Sequence, residues 1–513
     1  MEPTLFARYL TTFSELVESL RPSFQRYFWI ATSVYASLIV VLGVQLPVES
    51  FAGALIISIA ALAPWYLWVT GIAKGLPIWP MFTLTALWAY ALPLVTEHPV
   101  VIQFPPIFQL LGSVLVTAFL VVGTLCWLPF ARREHAAPLQ VRVLPMQRGR
   151  LLFFAFLVAG LALIFVTSTD SLDTSGNFFS VVRAFALGLS SLSIFYFGYQ
   201  MGAHQLRPTE QVAFFVLLIL SIVVSITSML LVNGMSMILL AFISYFLGRG
   251  RIPWLPFILT ALTFYFLHAG KSEQRDQYWG EMMWRPIKTD EYPKFFSDWI
   301  GHSTNALSEQ LGLSKERRDP GQVQNKIWER SSLMHLVLYI MYATPDAIPF
   351  LNGETYAVIP QLLIPRFLFE EKLGSHFGNT LMAVQYGIVD ADDESGTSIG
   401  FGLISEAYAN FGYFGCLAAA VLVGSAAGWV TRWSMSVPIM SFRFLFGVLC
   451  LSSAFQVEYT AGVLVSSLFQ STVALAVVAL LFMKVLPVER VRRLMPSLME
   501  EDARPVKQPA ITS

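Results

Sequence analysis

The stretch FQLLGSVLVTAFLVVGTLCWLPF, residues 108–130, contains no charged side chain, and the run behind it, ARREHAAPLQVRVLPMQRGR (131–150), is crowded with Arg. Crossing a bilayer takes roughly 20 mostly apolar residues, so the first stretch reads as a transmembrane helix. The second reads as a loop kept on the cytoplasmic side by its positive charge. Working outward, about twelve segments pass the same test: 28–47, 51–71, 77–96, 108–130, 151–169, 178–200, 211–232, 234–248, 253–270, 409–431, 442–460 and 462–486.

Composition agrees. The chain is 55% hydrophobic and 13% charged, with mean hydropathy +0.61, which excludes an ordinary soluble globular protein. The expected fold class is all-α, a polytopic integral membrane helical bundle in which the lipid bilayer is the first partner. Formal net charge is zero, and the basic residues are spread through short loops rather than gathered on one face, so no nucleic-acid partner is expected. Cys126, Cys416 and Cys450 all fall in apolar runs without metal or redox spacing, the pattern of inert packing residues.

Orientation follows from charge. With the N-terminus inside, the cytoplasmic connections hold Lys74, the 131–150 run, Arg207, Arg249 with Arg251, Arg432 with Arg443, and VERVRR (488–493). The opposite connections EHPVVIQFPP (97–106), STDSLDTSGN (168–177), LVNG (231–234) and EYTAG (458–462) contain no Lys or Arg. Both termini are therefore expected in the cytoplasm. Residues 1–27 carry Arg8, Arg21 and Arg26 and apolar residues at helical spacing (Phe6, Tyr9, Leu10, Phe13, Val17). They read as an amphipathic segment on the cytoplasmic surface, with no cleavable signal and with the first span directing insertion. Residues 487–513 read as a cytoplasmic tail.

Residues 271–408, between spans 1–9 (28–270) and spans 10–12 (409–486), form one large extracytoplasmic loop. Its first 130 residues hold 12 Lys/Arg and 18 Asp/Glu, and long loops are exempt from the charge rule. Loops of this length are commonly functional. Within it, SSLMHLVLYIMYA (331–343) is too short to cross and is expected to lie in or on the outer surface.

Three parts of the loop combine cations, aromatics and turns. HAGKSEQRDQYW (268–279) sets Lys271 and Arg275 four residues apart, on one helical face, although a Lys at a helix end often only snorkels. KIWERSSLMHLVLYI (326–340) puts Arg330 at the edge of the apolar run and His335 within it, where a packed neutral imidazole is the plainer alternative. LNGETYAVIPQLLIPRFLFEEKLGSHFGN (351–379) holds Arg366 behind Pro360 and Pro365, with Lys372 nearby. An Arg on a stiff turn suits bidentate capture of phosphate. Arg183, near the outer end of the sixth span, either lines the same site or snorkels. Asp390, Asp392, Asp393 and Glu394 read as a solvated loop tip rather than a metal site. Just before the tenth span, FGLISEAYANFGYFG (401–415) carries Glu406, Tyr408 and Asn410 among Gly402, Gly412 and Gly415. The glycines permit a break or a close helix approach, and capping of the span is the structural alternative for these polar residues.

The segments AGKSEQRDQYW (269–279), ERSSLMHLVLYIMYATPDAIPFLNGETY (329–356), IPRFLFEEK (364–372) and ISEAYANFGYFG (404–415), in this order around one outer loop, resemble the oligosaccharide repeat-unit polymerases of bacterial surface polysaccharides, the Wzy-type, O-antigen polymerase-like family. The resemblance is strongest in the second half of the chain, and it departs from members with paired Arg-rich outer loops. It implies a glycosyltransferase of the bacterial inner membrane that joins undecaprenyl-diphosphate-linked oligosaccharides at the outer face. No soluble cofactor is expected; a flippase and a chain-length regulator would be partners. The roles implied are Arg275, Arg330 and Arg366 as diphosphate or glycan clamps supported by Lys271 and Lys372, Glu406 as the base for the acceptor hydroxyl, and Tyr408 against sugar. Arg183 and His335 join the substrate-binding set. The nearest rival is an O-antigen ligase, which would use His335 or His376. A transporter would instead place its polar residues along the spans at the midplane.

Overall fold

A computed structural model of the chain describes residues 12–133, 138–144, 146–169, 177–229, 231–279, 287–310, 332–364, 373–389 and 399–487. Helices dominate, and a helix occupies each of the twelve expected segments. Among the described residues, eight helices are long and apolar enough to cross a membrane.

The first helix, α1 (Phe13–Gly43), starts at a capping box in which Thr12 Oγ1 accepts from Glu15 N–H and Glu15 returns a carboxylate to Thr12 N–H. It runs unbroken through Pro22 into the first apolar segment. The expected separate surface segment is therefore corrected from Phe13 onward. Phe13 and Val17 are buried, Phe13 lying 5.4 Å from the Phe444 ring, because the apolar stripe packs on protein instead of a lipid surface. The next helices are α2 (Val48–Val69), α3 (Ile78–Val95) and α4 (Pro106–Arg132). In α3 a π-turn at Leu87–Ala91 frees backbone carbonyls; Tyr35 donates to Leu87 O and Leu333 N–H to Ala89 O.

Strand β1 (Gln140–Val143) precedes α5 (Met146–Thr169), α6 (Asn177–Gly202), α7 (Pro208–Ile226), α8 (Leu231–Arg249) and α9 (Trp254–Ala269). Gly270 ends α9, and α10 (Lys271–Trp279) begins beyond it as a separate short helix. Then follow α11 (Tyr292–Gln310), α12 (Met334–Ala343), α13 (Phe377–Gln385), α14 (Gly402–Trp433), α15 (Phe442–Ser453), α16 (Ala461–Phe482) and strand β2 (Lys484–Pro487).

Two expectations change here. Helix α12 is not a segment lying free on a surface: Met334, Leu338 and Ile340 are fully buried against α4 and α14, and only Tyr342 near its end is exposed, because its mostly apolar faces are stable packed on protein. Helix α15 covers twelve residues and stops at Ser453, short of the expected 442–460. The chain from Ala454 to Thr460 leaves the helix as a turn-rich connection into α16.

The connections sort onto two ends of the bundle. At one end β1 pairs antiparallel with β2, Thr12 bridges Pro438, and Leu144 N–H reaches Met440 O. The basic connections gather here. Lys74 N–H donates to Ala131 O, Arg142 to Ala479 O, Arg150 to Gln205 O, and Arg21 to Trp68 O. These pairings join connections that charge alone assigns to one side. Between the ends, α14 lies close on α4, where Gly424 meets the Gly123 backbone, the small-residue contact typical of helices packed in lipid.

Candidate functional site

At the opposite end, α14 is broken. Phe411 (φ −143°, ψ 17°) and Gly412 (φ 61°, ψ −146°) leave helical geometry; only glycine adopts the latter readily. The interruption sets residues 402–410 apart from the remainder of α14 and frees carbonyls that need partners. They are taken from nearby: Leu351 N–H donates to Ala409 O, and Asn410 Nδ2 to Glu406 O. Asn410 also donates to Thr355 Oγ1 and accepts from Gly353 N–H, at 2.8 and 2.9 Å. Asn352 and Gly353 both take left-handed backbone, the tight turn that brings residues 351–357 across the broken helix.

Glu406 sits in this island with 0% of its surface exposed. Its Oε2 accepts from Ala461 N–H at 2.6 Å, at the first residue of α16. A carboxylate there satisfies one orphan amide and meets the positive end of the helix dipole. Its Oε1 has no hydrogen-bond partner and faces Gly378 beside Thr355. One residue earlier, Thr460 donates to Asn379 Oδ1 at 2.7 Å. Glu406, Asn410, Thr355, Thr460 and Asn379 are all buried, so four segments meet around one buried polar cluster. Tyr356, stacked on Phe411, has its phenol pushed well above the usual range by burial and then by the nearby Glu406 charge.

Just outside this island is a second carboxylate. Glu458 lies in the connection before α16, exposed at its surface. Gly402 N–H donates to its carbonyl, and Gly400 packs on its side chain. The protein around it pushes its carboxyl up, and the positive charge of Lys271 pulls the other way.

The remaining expected residues fall as follows. Arg275 is on α10, donating to the carbonyl of Met229 at 3.3 Å; Met229 belongs to a small apolar cluster with residues of α7 to α11. Tyr408 is 5% exposed, with Phe350 and Tyr413 against its ring, so its faces are occupied by protein and do not present a platform to sugar. The break at Gly412 is the reason, since it leaves residues 402–410 enclosed. His335 stacks on His98 with ring centroids 5.0 Å apart and planes 15° from parallel, and its Nδ1 lies 3.1 Å from Ser332 Oγ. Burial, then the neighbouring His98, lowers its pKa to about 4, so it is a packed neutral imidazole. His376 is exposed. Arg183 lies on α6; Arg330, Arg366 and Lys372 lie outside the described residues, as do Asp390, Asp392, Asp393 and Glu394.

No family model, curated protein or solved structure matches this chain. Several members of the site carry no sequence signal. Thr355, Asn379 and Thr460 are ordinary small polar residues until the fold buries them together, and His98 has no motif around it. Glu458 had one available cue, an acid in a connection that otherwise lacks charge.

Proposed function

We propose that the chain is a polysaccharide polymerase of the bacterial inner membrane, joining undecaprenyl-diphosphate-linked repeat units at the outer face. In this reading it spans the membrane twelve times, keeps both termini in the cytoplasm and holds residues 271–408 on the outer side. The observation that carries the reading is the placement of the polar side chains. The Glu406 network, Glu458 with Lys271, and the His98–His335 pair sit at the bundle end opposite the basic connections, instead of in a row along the spans as a transport path requires.

The reaction needs a base and an electrostatic clamp. The acceptor hydroxyl oxygen bonds to the anomeric carbon of the donor sugar while the bond from that carbon to the diphosphate oxygen breaks. The hydroxyl proton passes to the base, and the lipid diphosphate leaves with its added negative charge. Glu458 is assigned as the base, because it is the exposed carboxylate of the two. Glu406 becomes a positioning residue that fixes the start of α16, and with it the turn bearing Glu458. Lys271, Arg275, Arg330, Arg366 and Lys372 are assigned to the diphosphate.

The test is the gel profile of surface polysaccharide from a deletion strain carrying plasmid copies. Single repeats without the gene and with Glu458→Gln, and a full ladder with wild type, are expected. Long glycan retained on the carrier in the deletion strain points to a ligase and overturns the polymerase reading.

A further inference from the structure

Away from the site, the chain forms a lateral cleft at the same end of the bundle. It lies between the last turns of α1 and α3, is lined by Leu38, Leu42, Leu46, Leu92 and Val95 with Gln45, Thr96 and Glu97, and is an open groove of about 460 Å³. That volume falls in the range of about 300–1,000 Å³ common for small-molecule sites. The flank of α1 beside it is open: Val34, Val41 and Val44 are exposed, and α1 is the least buried of the eight candidate spans. The cleft therefore faces hydrocarbon, with its polar rim at the level where a span ends and headgroups begin.

The rim charge selects the occupant. Glu97 is exposed, in left-handed backbone that turns it out of the end of α3. Among the described residues, no Lys or Arg forms an ion pair with it, and the connection 97–106 contains no Lys or Arg. A carboxylate at the headgroup level attracts a cationic headgroup and repels a purely anionic one. Gln45 and Thr96 add hydrogen-bonding groups for a phosphate or ester.

We propose that this cleft is a site for an outer-leaflet phospholipid with a primary-amine headgroup, one acyl chain lying along Leu38, Leu42 and Leu92 and the ammonium at Glu97. A polyprenyl diphosphate suits the apolar wall and not the rim, since its diphosphate would sit against the Glu97 carboxylate. The site is thus distinct from the donor site; its assignment to the outer leaflet rests on the orientation proposed above, and the site itself does not depend on the polymerase activity.

The experiment is native mass spectrometry of the full-length protein extracted into detergent with equal amounts of phosphatidylethanolamine, phosphatidylglycerol and undecaprenyl diphosphate. Wild type is expected to retain phosphatidylethanolamine in preference to phosphatidylglycerol, with any undecaprenyl diphosphate held at the separate donor site. Glu97→Gln is expected to cut that preference about two- to fivefold, the scale of one exposed ion pair, and its exposed position spares the fold. Leu42→Trp, which fills the cleft, is expected to remove retention of the lipid itself. Equal retention of the two phospholipids by wild type, an unchanged preference in Glu97→Gln, or loss of undecaprenyl diphosphate instead of the amine lipid in Leu42→Trp would each overturn the proposal.

Discussion

The two halves of α14 share one run of sequence and live in opposite surroundings. Residues 402–410, before the break, are all buried and carry Glu406 and Asn410. Beyond it, Phe414 is 85% exposed and Leu422 is 71% exposed, an ordinary lipid-facing surface. The first half buries Glu406 and Asn410, polar side chains that are expensive in an apolar interior without partners; the open side of the second is largely apolar, with Phe414, Leu422 and the ring of Tyr413. What separates them is the backbone of Phe411 and Gly412. The lesson is that a membrane helix can hold a polar centre once it is interrupted, because freed backbone groups and side chains then satisfy one another.

That contrast can be broken most severely at the interruption itself. Gly412→Val places a branched side chain at φ 61°, ψ −146° and 3.2 Å from Phe350, at a cost of at least about 3 kcal/mol. Membrane abundance and thermal stability in detergent should both collapse. Acid acts on the same end through His335. Its pKa falls from 6.5 unfolded to about 4 folded, so its contribution is fully present above pH 6.5 and is lost as pH drops from there toward 4. Each pH unit in that window removes about 1.4 kcal/mol, on the order of 3 kcal/mol in all. Unfolding measured against pH should show the decline, and His335→Phe should flatten it. Next, Asn410→Leu removes three hydrogen bonds from the buried half and is expected to cost about 2 kcal/mol. Phe414→Ala, on the open half, should change stability by less than about 0.5 kcal/mol; a loss as large as that of Asn410→Leu would dissolve the distinction between the halves.

Much of the bundle was legible in the residues. Uncharged runs such as 108–130 announce helices, and the alternation of basic and non-basic connections anticipates which loops meet at β1, β2 and the Lys74–Ala131 contact. Gly412 could be named as a possible break, since glycine is the residue that such a backbone needs. The polar network could not be read, because burial of Thr355, Asn379 and Thr460 arises from contacts between residues up to 81 positions apart. Nor could the choice between Glu406 and Glu458: both are acids beside apolar runs, and only packing closes one and opens the other. The burial of Met334–Ala343 was missed for a related reason, since an apolar run too short to span fits an interface and an interior equally well.

The most direct measurement compares those two acids in vitro, using full-length protein and a lipid-linked repeat unit as substrate. If Glu458 takes the acceptor proton, Glu458→Gln lowers the polymerisation rate at least about a hundredfold at unchanged thermal stability. Glu406→Gln, which keeps an acceptor for Ala461 N–H, lowers the melting temperature while retaining most of the rate and the wild-type pH profile. Normal polymerisation by Glu458→Gln, with activity lost in a well-folded Glu406→Gln, would contradict the assignment.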